Sequence, residues 1–190
     1  MSEIELPDPD ELEERRDKTF SRRVALLTAI YAVVLAFASL GGANALEDIV
    51  LNQQQSSDQW AFYQAKVIRE HQYRAQKLIL EAQAPDAGTG RPRLEALAAK
   101  FAEEEKRYNA EKKDIEKDAK RHERERDISK ERDTYFDYAE VFLQIAIVSS
   151  SVSILAASRP MFYFSLVLAV LGVTSTINGY FLLVRVSALH

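Results

Sequence analysis

Three long apolar runs occupy residues 24–44, 136–157 and 161–185 of the 190-residue chain. Each run has about the twenty residues that a helix needs to cross a hydrocarbon core of roughly 30 Å, at about 1.5 Å of rise per residue. No charged residue lies near the middle of any run. The pattern predicts an all-α protein with three transmembrane helices, an N-terminal tail at 1–23, a tight turn at 158–160 and a C-terminal tail at 186–190.

Residues 45–135, between the first two runs, carry most of the charged side chains. The segment 84–92 contains two prolines and two glycines, whereas the flanking arms 45–83 and 93–135 contain neither residue type. Proline and glycine clusters mark loops, and uninterrupted arms of similar length on either side favour helices. We therefore expect a long antiparallel helical hairpin, a coiled coil with its tip loop at 84–92, outside the membrane between the first and second spans.

Spacings of three and four residues indicate which faces of the two arms meet. In the first arm the stripe consists of Ala61, Ala65, Ile68, Gln72, Ala75, Ile79 and Ala82. In the second arm it consists of Leu94, Ala98, Phe101, Tyr108, Ile115, Ala119 and His122. A tip near Gly88 would set Ile68 against Tyr108 and Ala75 against Phe101, so that small side chains meet large ones.

The charges around the first run predict its orientation. Basic residues stand at positions 15, 16, 18, 22 and 23 before the run, and Glu47 and Asp48 follow it. Because positive charge is enriched on the cytoplasmic side, we expect a cytoplasmic N-terminus and a periplasmic or extracellular hairpin, in a bacterial inner membrane. Residues 43–45 have the small-x-small form of a signal-peptide cleavage site, but the acidic start and the length of the run favour a retained anchor.

Composition excludes several classes of function. The chain has no cysteine, which removes disulfides and thiol chemistry, and its net charge of −4 comes from interleaved acids and bases. Such interleaving provides no sustained basic face for nucleic acid. We find no motif for catalytic residues, a cofactor or a metal ion. The sequence therefore favours a non-enzymatic protein whose partners are the lipid bilayer, further copies of itself and other membrane or periplasmic proteins.

Polar side chains inside the apolar runs are candidate sites, because they are costly at bilayer depth. Asn44, Gln144 and Asn178 fall toward the same side of the membrane, and we expect them to form a hydrogen-bonded cluster of amides. Glu140 and Arg185 lie near the same interface, where we expect an ion pair.

Hydroxyl and small side chains leave two interpretations open. The hydroxyls are Ser149, Ser150, Ser151, Ser153, Thr174, Ser175 and Thr176. Small residues recur at four-residue spacing at 38 and 42, at 41 and 45, and at 172 and 176, which is typical of closely packed membrane helices. The alternative is a Ser/Thr-lined seam in an oligomeric channel or transport accessory subunit.

Three aromatic residues near the start of the first arm, Trp60, Phe62 and Tyr63, are candidates for an interaction surface. At about 100° per residue they spread around the helix, so they cannot all enter one hairpin seam. We expect some of them to face another subunit, a partner or the lipid headgroup region, with a contact between copies of the chain preferred. We interpret the protein as a structural subunit that self-associates and scaffolds partners.

Three segments, residues 22–30, 39–42 and 57–66, resemble a bacterial membrane-protein family known as domain of unknown function 4337. The resemblance extends over nearly the whole chain. It implies a bacterial multi-pass membrane protein, and it implies no activity, because none is assigned to the family.

Overall fold

The computed structural model describes residues 9–184, without the side chains of residues 9–15 and 17. Three long helices fill nearly all of that range: α1 spans Pro9–Gln83, α2 spans Arg91–Leu155 and α3 spans Arg159–Phe181. Two 3-10 turns, Ala84–Asp86 and Gly88–Gly90, join α1 to α2. No strand occurs in this described range, and the predicted all-α class is confirmed. Each long helix contains a stretch that is long and apolar enough to cross a membrane.

The helices begin and end where the sequence interrupts backbone hydrogen bonding. Pro85 lies just beyond α1, and Gly88 has a φ of +52°, a left-handed conformation that costs glycine little. Pro92 and Pro160 each occupy the second position of a helix. A proline is tolerated in the first turn because the N–H that it lacks would have no intrahelical partner there.

The chain divides into two compact units, and both α1 and α2 contribute to each of them. The first, here called the three-helix unit, combines Met1–Glu47 with Ser129–His190. The second, here called the two-helix unit, is Asp48–Ile128.

In the two-helix unit, the contacts between α1 and α2 run in opposite chain directions. Trp60 contacts Glu123, Lys66 contacts Glu111 and Lys77 contacts Glu105, so residue numbers rise along α1 as they fall along α2. The face predicted for α2 is confirmed, since every member of its stripe is buried or half-buried: Leu94, Ala98, Phe101, Tyr108, Ile115, Ala119 and His122.

The face predicted for α1 is wrong. All seven residues of its predicted stripe are exposed, and α1 instead buries or half-buries four residues spaced seven apart: Ser56, Tyr63, Glu70 and Lys77. Tyr73, not Ala75 or Ile68, packs against Phe101 and Tyr108. The physical reason lies in α2, whose central part is dense in acids and bases. Those charges require polar partners, and the polar face of α1 provides them.

The three-helix unit packs through small residues. The ring of Phe136, on α2, lies between Gly41 of α1 and Gly179 of α3, and a Cβ atom at these glycines would stand 2.5 and 2.7 Å from the ring. Ala38 and Ala45 are buried in the same core. The predicted close packing at the four-residue spacing of small side chains is therefore confirmed for α1.

Both α2 and α3 end on a residue with positive φ. After α2, Ala157 has a φ of 43°, and the N–H of Ser158 donates to the carbonyl of Ser153 at 3.1 Å. This is the bond pattern of a Schellman motif, in which the left-handed position is usually glycine. After α3, Leu182 has a φ of 47°, and its N–H donates to the carbonyl of Asn178 at 2.8 Å.

Candidate interaction surface

The α1 face that contacts α2 begins with an aromatic pair. Trp60 Nε1 donates to Glu123 Oε1 at 2.8 Å, and the ring of Tyr63 meets the Trp60 ring edge-on at a centroid distance of 5.4 Å. Lys66 Nζ donates to Glu111 Oε2 at 2.6 Å one turn further along. Two of the three candidate aromatics are therefore engaged within the two-helix unit.

Glu70 is the most deeply buried charged side chain of this unit, with 2% of its surface exposed. Its Oε1 accepts from Asn109 Nδ2 at 3.0 Å, and its Oε2 accepts from Lys112 Nζ. The hydrogen bond from Lys112 holds the pKa of Glu70 below its usual range, although burial acts in the opposite direction. A buried carboxylate held this way fixes the register of α1 against α2, because any shift would leave its charge unpaired.

An aromatic and cationic cluster surrounds Tyr108 on α2. The ring of Tyr73 stacks on the Tyr108 ring at a centroid distance of 5.6 Å and an interplanar angle of 12°. Arg107 Nη2 donates to Tyr108 Oη at 3.2 Å, and Arg69 Nη1 approaches the same oxygen at 3.5 Å. The hydrogen bonds from Arg69 and Arg107 lower the pKa of the Tyr108 hydroxyl. With Glu70, this cluster gives α1 a largely polar and aromatic contact with α2.

The opposite face of α1 carries an exposed apolar stripe, which we call the α1 stripe. It consists of the residues predicted for the hairpin seam: Ala61, Ala65, Ile68, Gln72, Ala75, Ile79 and Ala82. Ala61 and Glu70 are nine residues apart, which at about 100° per residue places them on opposite sides of the helix. Ile68 and Ile79 expose 57% and 56% of their surfaces. The stripe therefore has coiled-coil spacing without a partner helix in the described part of the chain.

Phe62 separates from its two aromatic neighbours. It exposes 51% of its surface, and the Nζ atom of Lys66 lies 4.9 Å from its ring centroid. Phe62 therefore stands at the edge of the α1 stripe, next to Ala61. The structure assigns Trp60 and Tyr63 to the intrachain contact and leaves Phe62 accessible.

The structure does not bring together the three amides Asn44, Gln144 and Asn178. The side chains of Asn44 and Gln144 are exposed. Asn178 Nδ2 donates to the carbonyl of Val184 at 2.8 Å, and its Oδ1 accepts from the Val184 N–H at 2.8 Å. The expected cluster is therefore wrong for Asn178, because its amide satisfies the backbone beyond the end of α3.

The expected ion pair between Glu140 and Arg185 involves a residue outside the described range. Glu140 itself is half-buried on α2 and follows Asp133 and Asp137 along the helix.

Buried hydroxyls in the three-helix unit donate to backbone carbonyls. Ser150 Oγ donates to Ile147 O at 3.0 Å, Ser153 Oγ donates to Ser158 O at 2.9 Å, and Thr176 Oγ1 donates to Gly172 O at 2.9 Å. Thr28 Oγ1 on α1 lies 2.7 Å from Ser150 Oγ on α2. These hydroxyls therefore serve contacts within the unit.

Sequence reasoning missed two features of these surfaces. Glu70 belongs to a seven-residue series with Ser56, Tyr63 and Lys77, and that repeat could have been found by searching for polar as well as apolar heptads. The central packing position of Phe136 could not be recognised from the sequence, because single aromatic residues are common at the start of apolar runs.

Over residues 9–184, the fold is all-helical and has three helices that are long and apolar enough to span a membrane. The chain belongs to the family described as Domain of unknown function (DUF4337), whose profile matches residues 20–182. The resemblance inferred from the sequence is thereby confirmed. No curated protein and no solved structure matches the chain.

Proposed function

We propose that this protein is a non-enzymatic scaffold of the bacterial inner membrane that self-associates through the α1 stripe. In this proposal the three-helix unit is the membrane anchor, with a cytoplasmic N-terminus, and the two-helix unit is a helical hairpin outside the cytoplasm. The observation that carries the proposal is the exposure of an apolar stripe with heptad spacing on the α1 face opposite α2.

A second copy of the same stripe is the partner whose chemistry fits best. Residues at alternating spacings of three and four keep facing a partner helix along its length, which is the requirement of a coiled coil. The alanines of the stripe allow two helices to approach closely. Removing Ile68 and Ile79 from water adds a driving force, since fully burying such a side chain stabilises by about 1.5–3 kcal/mol.

Scaffolding of other membrane or periplasmic proteins follows as a consequence of self-association. An oligomer joined through α1 keeps the outer face of α2 accessible, and that face bears exposed charges such as Lys113, Lys117 and Arg121. Charged faces of this kind steer partners of complementary charge.

A channel or transport accessory subunit is the second class that the sequence allowed. Its candidate lining, the hydroxyls of the three-helix unit, is largely bonded to backbone carbonyls. No observation favours this class over the scaffold, and we do not propose it.

Cysteine cross-linking tests the proposed self-association directly. The natural chain has no cysteine, so a single introduced thiol reports only on its own position. Ala75→Cys, on the α1 stripe, should form a disulfide-linked dimer under mild oxidation in native membranes. Ala110→Cys is the matched control, because Ala110 is also an exposed alanine and lies on the other helix. It should remain monomeric on the same gel.

A second variant separates association from folding. Ile68→Glu should dissociate the oligomer in mild detergent, as measured by light scattering, while helicity measured by circular dichroism stays unchanged. The self-association proposal fails if Ala75→Cys forms no dimer and the unmodified chain has a monomer mass. Equal cross-linking at Ala75 and Ala110 would also overturn the assignment of the contact to the stripe.

A further inference from the structure

A cleft opens in the three-helix unit where the early part of α1 meets the start of α3. Its volume is about 760 Å³, and it is lined by Arg16, Phe20 and Arg23 from α1 and by Arg159, Phe162 and Tyr163 from α3. Two helices that are distant in sequence thus bring three guanidinium groups to one opening.

The charge of this cleft is uncompensated within the described side chains. No ion pair involves Arg16, Arg23 or Arg159 in that part of the structure, and the described residues that line the cleft include no acid. All three arginines are exposed. Elsewhere in the molecule arginines do have carboxylate partners, as Arg74 does in Glu105. Among the described side chains, the three guanidiniums of the cleft are therefore unpaired and can meet an anion.

The inner wall of the same cleft is apolar. Phe20 and Phe162 meet edge-on at a centroid distance of 5.7 Å and an interplanar angle of 80°, which joins α1 to α3 there. Val24 is fully buried behind them, and Leu27 is half-buried. Tyr163 exposes 62% of its surface at the edge. The cleft thus combines a cationic rim with an apolar interior.

We propose that this cleft binds an anionic phospholipid. The phosphate would be held by Arg23 and Arg159, because the planar guanidinium offers paired N–H donors that match phosphate oxygens. An acyl chain would lie along the apolar wall and continue over the exposed faces of α1 and α3. Basic clefts between membrane helices near the cytoplasmic side are suited to such headgroups. The site rests on the proposed membrane placement, but it does not depend on self-association.

The apolar wall is the reason for choosing a lipid over a free phosphate. A free phosphate would gain nothing from Phe20, Phe162 and Val24, whereas a phospholipid uses both halves of the cleft. Membrane-crossing stretches in the adjoining helices would hold the cleft at the level of the headgroups.

Lipid retention measured by native mass spectrometry tests the site. The full chain, delipidated in mild detergent, is titrated with phosphatidylglycerol or with phosphatidylcholine of the same acyl chains. The unmodified protein should retain phosphatidylglycerol in preference. Arg23→Gln and Arg159→Gln should each weaken that binding by about fivefold, the ratio that corresponds to about 1 kcal/mol for one basic residue near the lipid surface.

Arg22→Gln is the matched control. Arg22 is exposed and adjacent to Arg23, but it does not line the cleft. It should leave phosphatidylglycerol binding unchanged, although it removes the same charge. Arg159→Lys should weaken phosphatidylglycerol binding less than Arg159→Gln does, because lysine keeps the positive charge and lacks only the paired N–H donors.

Three outcomes would overturn the proposal. Equal retention of the two lipids would remove the preference for an anion. Equal losses of phosphatidylglycerol binding in the Arg22 and Arg23 variants would show that general surface charge, not the cleft, attracts the lipid. Displacement by inorganic phosphate at the concentration of the lipid would indicate an anion site without a lipid role. Circular dichroism of each variant checks its fold, and Arg23 and Arg159 provide independent variants. Failure of Ala75→Cys to cross-link would leave these lipid measurements unaffected.

Discussion

At the scale of single residues, the Phe136 ring illustrates how absence of a side chain can determine helix packing. The ring occupies space that Gly41 and Gly179 leave open on two other helices, and Tyr180 meets it edge-on at a centroid distance of 5.0 Å. Close packing of this kind supplies van der Waals contact where lipid offers no hydrophobic gain. One aromatic residue therefore fixes the approach of all three helices.

Gly41→Ala should destabilise the three-helix unit by about 1–3 kcal/mol, the usual cost of overpacking. The added Cβ would stand 2.5 Å from the Phe136 ring, whereas at Gly42 the nearest atom would be 3.4 Å away, an ordinary contact. Gly42→Ala is therefore the matched control and should be neutral or slightly stabilising, because alanine favours helix. Thermal unfolding in detergent measures the stability of both variants. Equal changes in stability would contradict the close packing of the Phe136 ring against Gly41.

At the scale of helices, α1 has two faces that could each pack against another helix, one polar and one apolar. The sequence prediction chose the apolar face for the contact with α2, and that choice was wrong. The apolar heptads of α1 and α2 were expected to meet. The stripe of α2 is buried as expected, but Glu105, Glu111 and Glu123 flank it and bind partners on α1. Unpaired carboxylates at a partly buried contact would cost more than leaving the α1 stripe exposed. Hydrophobic periodicity alone carries no information about that competition.

Ala157→Gly should stabilise the protein by about 0.5–1 kcal/mol, because a left-handed backbone at a helix C-terminus disfavours any residue with a Cβ. Ala157 has a φ of 43°, whereas its neighbour Ala156 closes a helical hydrogen bond to the carbonyl of Val152 at 2.9 Å. Ala156→Gly should therefore destabilise, by about 0.5–1 kcal/mol. Stability changes of opposite sign for the two variants, measured by thermal unfolding in detergent, would confirm the Schellman motif at the end of α2. Changes of the same sign would refute it.

At the scale of the whole molecule, length and composition predict much of the result. The three apolar runs predict three membrane-crossing helices, and the proline and glycine residues predict a break at residues 84–92, which the structure has at residues 84–90. The orientation proposed for the chain depends on insertion into a membrane, which leaves its trace only in the distribution of basic residues. Sites formed by helices that are distant in sequence could not be predicted, because they depend on how α1, α2 and α3 are rotated about their own axes. Examples are the space that Gly41 and Gly179 leave for the Phe136 ring, and the arginine cleft.

Single cysteines should report the orientation of the chain. Gly88→Cys, between α1 and α2, should react with a membrane-impermeant maleimide in intact spheroplasts, because the hairpin is expected outside the cytoplasm. Ala156→Cys, in the break between α2 and α3, should react only after the membrane is permeabilised. Both positions are exposed, so access is set by the membrane. The reverse labelling pattern would invert the proposed orientation.

The division of α1 into a charged face and an apolar face would make its contact with α2 and the proposed contact between chains respond oppositely to salt. Ion pairs such as Lys66 with Glu111 and Arg74 with Glu105 weaken as ionic strength rises, because mobile ions screen them. Burial of the α1 stripe is not weakened in this way, and strongly hydrated anions such as sulfate strengthen it. Raised ionic strength around the two-helix unit would then weaken cohesion within each chain and leave the proposed cohesion between chains intact or stronger.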